Sequence, residues 1–174
     1  MYKRYAALLF ALIGLASCKK TKEQMIARKW QEVSTENPQR DEMVRSQQAF
    51  LDTVGRNTTP EENERIYGFR NIDSFRQLMQ ANLDSFKLLQ QREIEQTQFE
   101  FKKEGIVYIT TGRRVDSASW KFEEDGRLLL DEQKLKGAGS RLYIDVLVLN
   151  DTGLKVKFTE GEASAIANFK AVEK

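Results

Sequence analysis

From Thr97 to the end the chain is strand-like almost throughout, with several segments alternating hydrophobic and polar residues at the two-residue period of a half-buried strand and others apolar or β-branched. In Thr97–Lys103, Phe99 and Phe101 share one face, with Glu100 and Lys102 on the other. Glu104-Gly105 marks a turn, and Ile106–Thr111 is β-branched and aromatic. Ser119–Glu124 sets Trp120 and Phe122 apart from Lys121 and Glu123. Asp125-Gly126 follows, a hairpin signal because both residues tolerate positive φ. Arg127–Glu132, Arg141–Leu149, Leu154–Thr159 and Ser164–Val172 continue the pattern, separated by a Gly-containing loop at Lys134–Ser140, a turn at Asn150–Gly153 and a break at Gly161. Seven antiparallel strands joined by short turns form a meander. An eighth is predicted at Lys29–Thr35, after a short helical turn reaching about Arg28. A meander of about eight strands curls into a barrel.

Between Pro38 and Gln96 the period changes to that of a helix. Met43, Val44, Gln47, Phe50, Leu51 and Val54 form one stripe; Phe75, Leu78, Met79, Leu83, Phe86 and Leu89 form another, running to about Gln96. Thr59-Pro60-Glu61-Glu62 reads as a helix start, and Asp73 as the cap of the next helix. These stripes are expected to face a core, or a partner. The predicted fold is mainly β with a helical insertion at 38–96: an antiparallel up-and-down barrel or half-barrel of about eight strands, in a domain spanning 29–174.

The first residues follow a different logic. Lys3 and Arg4 precede a nearly unbroken apolar run, Tyr5–Ala16, too short at ~1.5 Å per helical residue to cross a ~30 Å hydrocarbon core. It reads as a secretory leader over 1–17. Its end, Leu15-Ala16-Ser17-Cys18, resembles the lipobox of bacterial lipoproteins. The resemblance implies that the Cys18 thiol receives a diacylglycerol, that the leader is cut before Cys18, and that the new amino group is acylated. Two or more acyl chains give lasting membrane attachment where one does not. Residues 18–28 are then a lipidated tether, and the expected location is the Gram-negative cell envelope. Lys19-Lys20-Thr21-Lys22 stands where some surface-displayed lipoproteins carry an acidic run, so a periplasm-facing position is expected by resemblance.

Removing Lys3 and Arg4 from the 28 basic residues balances the 26 acidic ones. A neutral domain argues against a nucleic-acid partner. Cys18 is the single cysteine, which excludes an internal disulfide. The chain contains no histidine, so imidazole bases, triads and ligands are excluded. Gly137-Ala138-Gly139 lacks the Lys-Ser/Thr of a phosphate loop, and Glu123-Glu124-Asp125 reads as a solvated hairpin. No catalytic residue, metal or cofactor is expected, and the chain is read as not an enzyme.

The β section, with Phe99-x-Phe101 before Gly105, Trp120-x-Phe122 before Asp125-Gly126, the Tyr143–Leu149 strand and Leu154-x-Val156-x-Phe158, resembles bacterial lipocalin-like lipoproteins. Trp30 near the mature start adds to the likeness. The chain departs from lipocalins in two places. Arg28 stands where they carry a glycine two residues before the tryptophan, and Lys170 stands late in the chain where they set an arginine against that ring. The resemblance implies a small hydrophobic or amphipathic ligand held on the barrel axis, with Phe101, Tyr108, Trp120, Phe122 and Tyr143 as lining residues and the helical insertion as a lid. The alternative is an envelope interaction or scaffold protein, in which the same rings fill a solid barrel and the Phe75–Leu89 helix docks a protein partner. An open apolar interior favours the first; a filled interior with an exposed apolar helix stripe favours the second.

Overall fold

A computed structural model describes residues 20–173; the leader, Cys18 and Lys19 lie outside the described residues. The elements in order are α1 (Lys22–Ile26), β1 (Lys29–Glu36), α2 (Pro38–Thr53), α3 (Pro60–Tyr67), α4 (Ile72–Gln96), β2 (Thr97–Phe101), β3 (Ile106–Thr111), β4 (Arg114–Phe122), β5 (Leu128–Asp131), α5 (Glu132–Lys136), β6 (Arg141–Leu149), β7 (Gly153–Glu160) and β8 (Ala163–Ala171). The eight strands close into one antiparallel barrel in sequence order, with β8 returning to β1. Full closure leaves no free sheet edge to template association.

Short turns join the strands at one end of the barrel: Lys102–Gly105, Glu123–Arg127 and Asn150–Gly153. Gly126, at φ 85°, makes the middle one possible. This end is closed by α1. A five-residue helix does not hold itself together in water. Here a capping box fixes its start: the Gln24 amide donates to the Thr21 hydroxyl at 3.2 Å, and the Thr21 amide donates to the Gln24 side chain at 3.1 Å. At its other end Ile26 is fully buried in the barrel core. Residues 22–28, expected as part of a tether, therefore form a plug.

The helical insertion joins the opposite ends of β1 and β2. Strand β1 pairs with β2 only over Lys29–Gln31, while its pairing with β8 runs on to Glu36. The two strands part where α4 delivers the chain to β2. The last turn of α4 contains no basic residue, and its free carbonyls take a donor from the barrel instead. The Gln31 side-chain amide donates to the carbonyl of Glu95 at 3.0 Å and to that of Thr97 at 3.0 Å. The Gln98 amide in turn donates to the Gln31 side-chain oxygen at 2.7 Å. Helix α4 packs on β1 and β3, and α2 touches β8.

Within the insertion Leu51, Val54 and Leu83 are buried, and Tyr67 stacks on Phe75 with centroids 5.0 Å apart. Phe50 meets both rings edge-on. Asn71 caps α4, accepting from the Asp73 amide at 2.9 Å, so Asp73 lies inside the helix and not at its cap. Gly55 follows α2 at φ 70°, and a Cβ there would lie 2.2 Å from Ile72 Cγ1. Gly55→Ala is expected to cost about 1–3 kcal/mol, combining left-handed backbone strain with overpacking. Loss of amide-exchange protection confined to α2–α4 would check it.

Two further boundaries differ from expectation. Strand β4 begins at Arg114 and not at Ser119, because β3 pairs with it along the whole of Ile106–Thr111. The loop after β5 opens with α5, capped by Asp131, which accepts from the Lys134 amide at 2.7 Å. Asp131 is buried and its other oxygen meets Arg141 Nε at 2.9 Å.

Candidate ligand-binding site

Pairing and burial together fix which residues face the barrel axis. Phe101 pairs with Val107, Val107 with Ala118, Trp120 with Leu130 and Leu154 with Phe169, and all are buried. At the closed end this interior is solid. Aromatic rings run across it from Phe169 to Phe99 (5.0 Å), Phe101 (6.0 Å), Trp120 (5.6 Å) and Phe122 (6.4 Å). The indole N–H groups find carbonyls: Trp30 donates to Ile26 at 2.9 Å, and Trp120 to Lys102 at 3.0 Å. Arg28 lies over the Trp30 ring, 5.6 Å from its centroid, and donates to the Asp151 carbonyl at 2.6 Å. The cation on Trp30 thus comes from just before β1, ties α1 to the β6–β7 turn, and is not supplied by exposed Lys170.

Phe101, Trp120 and Phe122 are therefore brought together, but as the packed floor of the barrel. Tyr108 and Tyr143 are not brought to them. Tyr108 pairs with Glu100 and Tyr143 with Leu129, on the outer parity of their strands, and their exposures are 39% and 42%. Arg127 covers Tyr143 from outside at 4.8 Å. These two tyrosines do not line the interior.

The opposite end differs. Continuing the inward parity away from the floor gives Glu32 and Thr35 on β1, Thr97 on β2, Ile109 on β3, Leu142 on β6, Phe158 on β7 and Ala165 on β8. Each is partly exposed, where their neighbours two positions deeper, Val107, Ile144, Val156 and Ala167, are buried. Ile109 and Phe158 pack against the core from this end, and the inward positions here are only partly covered, beneath the helical insertion. The small side chains of Ala165 and Ala167 face Phe158 and Val156 and leave β8 little bulk there.

Glu32 is a charged group in this mouth, with Asp116 of β4 at the same end opposite Ile109, and residue-type reasoning missed it. It pairs with Phe169, sits two residues from Trp30, and accepts a hydrogen bond from the Thr35 hydroxyl. Desolvation pushes its carboxyl above the usual range, with Thr35, Thr97 and then Arg40 pulling it back. Ionised Glu32 is thus less favourable folded than unfolded. That penalty is present at neutral pH and is relieved as pH falls through its folded value to the ordinary glutamate range. Glu32→Gln is expected to raise Tm at pH 7, with a gain that shrinks towards pH 4; a pH series of thermal melts checks it.

Two surface clefts, of about 540 and 380 Å3, lie at the closed end on either side of Arg28, bordered by Asp151 and Lys170 in one and by Lys102 and Lys103 in the other. They lie outside the barrel axis, and Arg28 between them is already committed to Asp151. No described helix is long and apolar enough to cross a membrane. Comparison with protein-family models, curated proteins and solved structures finds no match to this chain.

Proposed function

We propose that this protein is a lipid-anchored, lipocalin-like carrier of the cell envelope that takes the apolar part of a small amphipathic ligand into the open half of its barrel. One observation carries the reading: inward positions at a single end, Ile109, Leu142, Phe158 and Ala165, are apolar yet reached by solvent, above a packed aromatic floor. Burial of a ligand chain there is favourable by ~25 cal/mol per Å2 of apolar surface, before the cost of ordering it. The lipidation part rests on the Leu15–Cys18 motif. Only Lys19 and Lys20 separate Cys18 from the Thr21 cap, so an anchor on Cys18 would hold the closed end at the bilayer and turn the mouth away from it.

The test is calorimetric titration with dodecanol below its solubility limit, using the chain from Cys18 onward with Cys18→Ser to avoid detergent. Saturable binding is expected, lost in Ala165→Phe, which fills the mouth. Binding that survives this substitution unchanged would count against the site.

A second reading has its own observation. Leu78, Leu88 and Leu89 on α4 are 50%, 52% and 58% exposed, an apolar face left uncovered on the insertion. This favours a protein partner in the envelope docking on α4, a role compatible with the first.

A further inference from the structure

We propose that Glu32 makes the barrel mouth selective for amphipathic ligands with a cationic head, the alkylamine class, over those with a carboxylate head. This rests on the reading of the mouth as a ligand site.

The argument starts from an unbalanced charge. Glu32 occupies an inward position on β1, opposite Phe169, and is half-buried. The Thr35 hydroxyl serves one of its oxygens. Among the described residues, no lysine or arginine lies within 4.0 Å of it. The nearest cation in effect, Arg40, is engaged elsewhere: it donates to the Thr35 carbonyl at 2.9 Å and lies 3.9 Å from Asp41. Asp116, an acid on the inward parity of β4, is paired with Lys136. One carboxylate is therefore held partly out of water, facing the mouth, without a counter-ion. Such a group is costly alone and is relieved by a cation that arrives with its own apolar surface. From Glu32 toward the mouth, Ile109, Phe158 and Ala165 are apolar and only partly buried, and offer that surface. An alkylamine entering head-first would set its ammonium at Glu32 with its chain running back along these residues to the mouth. A fatty carboxylate in the same pose would place like charges together.

The experiment compares three probes of equal chain length, dodecylamine, dodecanol and laurate, at pH 7, the alcohol below its solubility limit and the two ionic probes below their solubility and micelle limits. Calorimetry on the Cys18→Ser chain gives the three Kd values, and Glu32→Gln is measured beside it. Dodecylamine is expected to bind about tenfold more tightly than dodecanol, the size of one charge-assisted contact, and laurate more weakly than either. In Glu32→Gln the amine should lose its advantage over the alcohol, and a cooperative thermal melt shows that the variant is folded. Equal affinities in the native chain, laurate binding best, or an amine preference that survives Glu32→Gln would each overturn the proposal and leave the mouth as a site. Failure of all three probes to bind would overturn the mouth reading itself and this inference with it.

Discussion

Trp30→Ala is expected to lower unfolding free energy by about 3–5 kcal/mol, the range for removing a large buried aromatic side chain. The ring has no solvent exposure, and it is held by three independent contacts. Its N–H donates to Ile26, its partners in the sheet are Phe99 and Ala171, and Arg28 covers its face. Truncation would leave a cavity where α1 closes the barrel and would remove one of the two donors to the Ile26 carbonyl, the other being the Arg28 amide at 2.7 Å. Domains of this size are stable by about 5–15 kcal/mol, so the loss is a large share of the total. Urea denaturation should show a much lower midpoint at an unchanged slope. A shift near zero would mean that Trp30 does not seal the barrel.

The second large effect is a contrast within one pair of adjacent strands. Phe101→Ala should cost about 3–5 kcal/mol, and Tyr108→Ala about 0.5 kcal/mol or less. Both are aromatic residues of alternating strands, and they differ in parity. Phe101 is 2% exposed and meets Trp120 edge-on at 5.6 Å; Tyr108 stands outside, across from Glu100. Equal costs would mean that the strands pair in a register shifted by one residue.

That contrast also shows how far the sequence could be read. Alternation, apolar or β-branched runs and the turn signals between them located the strands of the meander, and Asp125-Gly126 located one of its hairpins. The face of each strand was harder. In Ile106-Val107-Tyr108-Ile109 both parities are apolar, so only the pairing of Val107 with Phe101 decides that Tyr108 points out. Leu142-Tyr143-Ile144 poses the same ambiguity. Choosing lining residues by aromatic type therefore mixed three floor residues with two outer ones. Extending the parity of Phe99 and Ala167 by two positions, to Thr97 and Ala165, would have reached the mouth.

Thr35, the hydrogen-bond partner of Glu32, was hidden for a different reason. A bulge lies between Glu32 and Ser34 in the pairing of β1 with β8, so Thr35, and not Ser34, is the next inward residue. Val33 is exposed beside it. A two-residue count from Trp30 finds Glu32 but loses the face at the next step. Helix α5 escaped notice because Glu-Gln-Lys-Leu-Lys carries a single apolar residue; the Asp131 cap and the pull of Glu132 on the Ser140 amide at 2.9 Å form it.

The most direct test of the barrel mouth as a binding site is a residue-resolved NMR titration of the Cys18→Ser chain with dodecanol. The account predicts saturable shift changes centred on Glu32, Ile109, Phe158 and Ala165, with the floor at Trp30 and Ile26 unmoved. Changes confined to Leu78, Leu88 and Leu89 on the outer face of α4, with the mouth silent, would contradict it.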